Sequence, residues 1–413
     1  MKRTYKWLLV VAAVLLLLFL AGWTFSIYKT RKLQARNVVP AGAVEAGKVN
    51  DDDCRKFLAC LEERSLGPVE YITSKFAGHD VVLVGEMHEQ KETCEFICRL
   101  VAPAYKAGVR RVCLEILKSK NNDRIKELLD AGAYDERLAV ELFRDSAWPL
   151  WGFKEYVDIL RTVWEFNSQL PPGAQRIEVI GLDSDWDGYD LLCGSLWRKP
   201  NAFIKVIRRD SHMAKIISRE ILEKGEKALV QIGYMHTFPH YRLPAVKDGK
   251  LVAEASPRFG YKLHEKYGER IFQVCVHQRQ FGPEVYLDEN YSGPIVQSDL
   301  VGLLERIFEL NGNRPVGFDV QGSLFGNLRD EKIFFFTYQK YVQFSDIAQG
   351  YVFLKPLSEL SKVTWIPGFI DDSNFEKAKA ILLKKIKNAE DRLEVENCKT
   401  PEELDRVMSK AMN

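Results

Sequence analysis

The stretch VVLVGEMHEQ, residues 81–90, decides how this chain folds. Its first four residues are apolar and mostly β-branched, a run suited to a strand buried on both faces. Gly85 follows, then Glu86 and His88. Ionisable groups at a buried strand end are costly unless they are partnered or used in chemistry. The arrangement recurs. RVCLEI (111–116) carries Glu115, IEVIGLD (177–183) ends in Asp183 with Asp185 just beyond, and ALVQIGY (228–234) leads to His236. A fifth run, IFQVCVH (271–277), ends in His277. Helical periodicities fill 94–108, 124–132, 153–167 and 202–225 between them. Continuous apolar strands alternating with helices predict an α/β fold, a mainly parallel β-sheet flanked by helices on both faces. The carboxyl ends of such strands share one edge, and ligands bind in the crevice beyond it. Four consecutive strands therefore bring Glu86, His88, Glu115, Asp183, Asp185 and His236 to one edge. RLPAVKDGKLVAEA (242–255) instead predicts a hairpin turning at Asp248-Gly249.

The composition is that of a globular chain, 413 residues with 46% hydrophobic content. Its net charge of +2 hides an asymmetry. Lys2, Arg3, Lys6, Lys29, Arg31, Lys32 and Arg36 cluster at the N-terminus without an acid among them. The other 52 basic side chains face 57 acidic ones. No basic stripe remains to follow phosphates, so nucleic-acid binding is disfavoured. Between the basic clusters, WLLVVAAVLLLLFLAGWTFSIY (7–28) runs 22 residues without a charge, enough to cross a bilayer as a helix. Trp7, Trp23 and Tyr28 stand near its ends, where amphipathic rings favour the interface. The run exceeds the apolar core of a cleaved signal peptide, and FLAGW is a poor cleavage site, so an uncleaved signal anchor is expected.

The organisation expected is a cytoplasmic tail over 1–6, a transmembrane anchor over 7–28 and a linker over 29–53. An α/β domain over 54–290 follows, then a C-terminal extension packed on the same domain (291–372) and a helical tail (373–413). A very short basic tail is easily retained while a large domain is exported, which favours a periplasmic or extracellular body. Lys29, Arg31, Lys32 and Arg36 argue the other way by the positive-inside rule.

Simple metal and haem motifs are missing. No CxxC pair occurs, and no CxxCH, so any haem would be held non-covalently. His236 and His240 have the spacing of a helical zinc pair, but Pro239 lies between them and no glutamate follows His236. HEQKE (88–92) begins like HExxH and then puts Glu92 where the second histidine belongs. Cys94, Cys98, Cys113 and Cys275 read as buried thiols rather than a disulfide framework.

LVGEMHE (83–89), a helix, and then VCLEI (112–116) resemble the superfamily that joins erythromycin-esterase-like proteins, ChaN-like haem-binding proteins and Tiki-type proteases. Its members show a GExH-like strand end, a glutamate ending the next strand and a later Gly-x-x-His. Here these are Glu86 with His88, Glu115, and Gly233 with His236. IGLDSD (180–185), the segment from Arg209 to His236 and WPLWGFKEYVDILRTVWEFN (148–167) extend the resemblance over roughly 75–280. GEMHE departs from the esterases, which carry a threonine before the histidine and a glycine after it.

Three readings follow. In the first, the chain is a membrane-anchored hydrolase that activates water. His88 or His236 is the general base, oriented by Glu115 or Glu86, and Arg209 holds an anionic group. Asp183, Asp185 and Arg209 line the substrate side. The resemblance implies an ester or peptide-like bond in a small-molecule or peptide substrate. In the second, Tiki-like reading, Glu86, His88, Glu115 and His236 hold a divalent metal. In the third, ChaN-like reading, the chain binds haem without turnover, with Tyr234, His236 or Tyr189 as axial ligand. His277 is a candidate for the rim.

Overall fold

The computed structural model describes residues 2–148, 150–193, 200–279 and 298–412. Seven strands form one sheet: β1 (Val81–Glu86), β2 (Arg111–Lys118), β3 (Glu178–Asp183), β4 (Ala228–Gly233), β7 (Ile271–Val276), β8 (Val316–Asp319) and β9 (Gly350–Phe353). A separate hairpin supplies β5 (Pro244–Lys247) and β6 (Lys250–Glu254). The spatial order in the sheet is β3-β2-β4-β1-β7-β9-β8, with every pair parallel except β9 and β8. The sequence places the first five strands within two residues of their ends. The last two extend the sheet beyond residue 290, so the stretch read as a packed extension contributes two of its strands.

The alternation of side chains along each strand explains the layers. Val82, Val84, Val112, Leu114 and Leu229 face one core cluster, which holds Phe96, Ile97, Tyr156 and Leu160. Val81, Leu83, Cys113, Val230 and Ile232 face another, with Met213, Ile217, Phe259 and Leu263. All four valine and leucine side chains of 81–84 are fully buried. Each is worth about 1.5–3 kcal/mol relative to exposure. The first face is covered by helices α3 (Lys91–Lys106) and α4 (Lys154–Ser168). The second is covered by α6 (Arg209–Glu220) and α7 (Phe259–Tyr267). The periodicity over 202–225 resolves into two helices, α5 (Pro200–Ile207) and α6, broken at Arg208. That break puts Arg209 and Asp210 in the first turn of α6, at the carboxyl edge of the sheet.

The ends of the chain are more structured than their composition suggests. Helix α1 runs from Lys2 to Ala35, past the predicted end of the anchor. Its segment Val14–Ala35 is long and apolar enough to cross a membrane, and Leu15–Phe19 stand more than half exposed. The predicted linker is not slack. Thr30 Oγ1 donates to Val252 O, Gln34 Nε2 donates to Leu251 O, and Arg36 pairs with Glu254. Val44–Glu45 pairs with Leu328–Arg329, and helix α2 (Asp51–Arg64), capped by the Asn50 side chain, packs on α8 (Asp299–Leu310). The C-terminal helices α9 (Phe375–Lys385), α10 (Ala389–Asn397) and α11 (Pro401–Met412) bury Ala378, Leu382, Val395 and Leu404 in the first core cluster. They are part of the folded body rather than a surface tail.

Candidate functional site

Strand alternation aims the site residues in opposite senses. Glu86 shares the face of Val82 and Val84, and on that side it accepts from Tyr156 Oη (2.9 Å) and Gln231 Nε2 (2.7 Å). Glu115 shares the face of Cys113 and turns toward α6. Pairing of β2 with β4 stops after Leu114, and its register with β3 shifts between Leu114 and Lys118. Such an irregularity re-aims a side chain beside a site. Gly181 allows it, because a Cβ there would lie 2.7 Å from Leu117 O.

His88 sits just past the end of β1. Its Nδ1 meets Glu86 Oε1 at 2.9 Å, and its ring packs edge-on against Trp151. Its Nε2 points over Gly233 toward Glu115, 3.9 Å from Oε2, beyond hydrogen-bond range. A Cβ on Gly233 would stand 2.7 Å from that nitrogen, so only glycine leaves the ring its place. Burial lowers the His88 pKa. The hydrogen bond to Glu86 and the charges of Glu115 and Glu86 outweigh this and raise it above the ordinary histidine value.

His236 is bound on both ring nitrogens. Nδ1 meets Asp210 Oδ1 at 2.7 Å, and Nε2 lies 3.0 Å from Arg209 Nη1. Arginine can only donate, so Nε2 accepts and the proton sits on Nδ1, facing Asp210. Asp210 Oδ1 also accepts from Phe259 N, which fixes it to α7. Burial would raise the Asp210 pKa, but His236 lowers it below the usual carboxylate range.

Arg209 joins the two halves. Nη2 donates to Glu115 Oε1 (2.6 Å) and Asp183 Oδ2 (3.1 Å), and Nε donates to Asp183 Oδ1 (2.7 Å). Asp183 also accepts from Ser184 N and Trp186 Nε1. Burial raises the Glu115 pKa, yet the Arg209 guanidinium above all, with the Gly233 amide, holds it well below the usual range. The guanidinium, only 12% exposed, is held protonated by these acids. Its donors are largely committed, which makes it a charge-balancing clamp more than an open anion site.

The structure thus unites Glu86, His88, Glu115, Asp183, Arg209 and His236. It places Asp185 elsewhere, half-exposed against Lys118, Lys120 and Lys205. His277 is buried between Tyr351 and Glu305, both within 2.8 Å, so it does not line the rim. His240 faces His264 and makes no pair with His236. Sequence reasoning missed Tyr156, Asp210 and Gln231. Gln231 left a trace, as a lone amide inside the apolar run ALVQIGY.

A pocket of about 340 Å³ opens above the cluster, lined by His88, Glu115, Arg209 and His236 with Trp148, Leu150, Trp151, Ile381 and Lys385. A wider, more open cavity of about 790 Å³ lies elsewhere, beside Lys56, Arg64 and Gln321, and does not touch this cluster. Among the described residues no group of three His, Cys, Asp or Glu side chains is arranged to hold a metal ion. Where the acids and imidazoles of this cluster converge, the Arg209 guanidinium already balances the charge. The haem-ligand candidates fit no better. His236 has both nitrogens engaged, the Tyr234 ring packs against Phe238 and Phe335, and Tyr189 is not among the residues lining the pocket.

Fold and site define an α/β protein whose parallel sheet ends in a buried, ion-paired His/Glu/Arg cluster beneath a half-apolar pocket. No protein-family model matches the chain, and no curated protein does. Among solved structures it shares its fold with a succinoglycan biosynthesis protein, at 10% identity and a TM-score of 0.51, over 76% of this chain and 99% of that one. A mutant of the erythromycin esterase EreC in its open conformation is also similar, at 13% identity and TM-score 0.44, over 70% and 96% of the two chains. So is ChaN of Campylobacter jejuni, described with cofacial haem binding, at 15% identity and TM-score 0.34, over 51% and 86%. The Tiki part of the resemblance rests on the sequence motifs.

Proposed function

We propose that the chain is a membrane-anchored hydrolase in which His88 is the general base that activates water. One observation carries the choice of His88 over His236: of these two pocket-lining histidines, only His88 has a ring nitrogen, Nε2, with no hydrogen bond among the described residues. Glu86 accepts from Nδ1–H and stabilises the imidazolium that forms when Nε2 takes a proton from water, the role of a triad carboxylate. Tyr156 and Gln231 hold Glu86 in turn. Glu115, Asp183, Arg209, Asp210 and His236 form a fixed charge frame beside the base. The remaining N–H of Arg209 Nη1 and the Lys385 ammonium are the cationic donors nearest a developing oxyanion. The sequence resemblance directs the choice of bond to an ester or peptide-like linkage, and the apolar walls of Trp148, Leu150, Trp151 and Ile381 suit a substrate with an apolar portion.

The test uses the full chain purified in detergent against panels of ester and peptide probes. Hydrolysis is expected, and His88→Ala should lower kcat/KM by about 10²–10⁴, the usual worth of a general base. Unchanged rates in His88→Ala would refute the assignment. A saturable Soret band on haem titration, with no turnover of any probe, would replace it with haem binding.

A further inference from the structure

Two insertions at the carboxyl edge of the sheet are left over once the site is described. The first is the β5–β6 hairpin. It leaves the sheet just after His236 and returns just before Phe259, whose amide binds Asp210, so it grows from the edge that carries the site. It is also where α1 is fastened, through Thr30, Gln34 and Arg36. The apolar helix therefore leaves the body at the site-bearing edge.

The second is α5, which lies between Asp183 at the end of β3 and Arg209 at the start of α6. It is tied back to the edge by Ser184 and Asp185, which contact the Lys205 carbonyl and ammonium. Ile204 and Ile207, three residues apart and hence on one helix face, are 45% and 64% exposed. Arg208 beside them is exposed too. An apolar face with a cationic flank, on the edge from which a membrane-spanning helix departs, has the make-up of a segment lying in a lipid interface.

We propose that α5 rests on the bilayer surface, with Ile204 and Ile207 in the headgroup–acyl boundary and Arg208 against anionic headgroups, so that the site-bearing edge faces the membrane. This rests on the reading of α1 as a membrane anchor. The occupant of the α5 face is lipid because the apolar helix α1 is fastened to the hairpin that grows from this same edge. A substrate residing in the interface would then reach the pocket without crossing bulk water.

The test places the photo-crosslinking residue p-benzoylphenylalanine singly at Leu17, Ile204, Ile207 and Lys106 of the full chain. Each variant is reconstituted in vesicles of phosphatidylethanolamine and phosphatidylglycerol, irradiated and analysed for adducts by mass. Lys106, exposed at the end of α3, marks the opposite edge of the sheet. Lipid adducts are expected at 17, at 207 and at 204, with none at 106. Adducts at 17 but at neither 204 nor 207 would overturn the proposal and leave the anchor standing. Their absence at 17 would remove the anchor and the proposal with it. Crosslinks from 204 or 207 to a second copy of the chain, in place of lipid, would overturn it in favour of self-association. Because 204 and 207 are both exposed, failure of one variant to fold leaves the other to decide.

Discussion

His88 and His236 share a carboxylate neighbour and differ in what holds them. His236 is locked between an acid and a guanidinium, whereas His88 is hydrogen-bonded to an acid only through Nδ1 and leaves Nε2 unbonded, 3.9 Å from Glu115. The difference sets a pH dependence. On the proposed mechanism the base form of His88 is the active one, and its pKa is raised, so kcat/KM should climb through a midpoint above the ordinary value of about 6.5. Glu86→Gln removes the charge and hydrogen bond that oppose burial, so the acid limb should move to lower pH while the rate above it falls. A limb that stays put in Glu86→Gln would show that His88 does not set it. Arg209 carries a different consequence. Glu115 and Asp183 are buried, and Arg209 is their main cationic partner. Arg209→Met should cost about 3–5 kcal/mol at neutral pH, the scale for stripping one member from a buried charge network. The Glu115 pKa is depressed in the folded chain, so its stabilising contribution is complete above the unfolded carboxylate value of about 4.3. It is lost only as pH falls through the lower folded value. The gap between wild type and variant in urea midpoint should therefore narrow toward pH 4, where the variant's acids gain protons first.

Legibility from sequence followed the length and continuity of each element. The five parallel strands β1–β4 and β7 were readable because each is a buried, mostly apolar run of six or more residues bounded by turns, and the hairpin because Asp248-Gly249 supplies two positive φ angles, 50° and 69°. The acids and histidines were readable as a group because parallel strands end on one edge. Their pairing was not, since whether Asp185 or Asp210 meets the cluster depends on the break at Arg208. Strands β8 and β9, the last two at one side of the sheet, are only four residues each and blend into aromatic surroundings. The last forty residues read as a polar tail because charged residues dominate them, and α10 buries only Val395 while α11 buries the narrow stripe Leu404, Asp405 and Met408. The Asp405 carboxylate shows how such a tail is held: it accepts from Trp365 Nε1, Gly368 N and Ile370 N, all at 2.8–3.0 Å. Asp405→Ala would leave those donors unpaired and should destabilise the body by about 2–3 kcal/mol. Because α9 places Ile381 and Lys385 in the pocket wall, turnover should fall in the same variant at temperatures where the fold persists. Differential scanning calorimetry beside a rate measurement checks both, and an unchanged melting temperature would contradict the docking of α11.

On the scale of the whole molecule, the fastening of α1 bears on which side of the membrane the body lies. Sequence alone sets basic residues against basic residues across the apolar run. The structure changes the weight of the second cluster. Arg36 is paired with Glu254 and stacked over Tyr341, and Thr30 and Gln34 are bonded to β6, so this flank belongs to the surface of the folded body. The large domain that follows α1 can be translocated regardless of its own charge. On the proposed reading of α1 as an anchor, the expected topology exports the folded body after α1. An alkaline phosphatase fused after α11 should then be active, because that reporter works only once exported. A green fluorescent protein fused at the same point should stay dark. The reverse pattern would put the body and its pocket in the cytoplasm, and any interfacial substrate would then have to come from the inner leaflet.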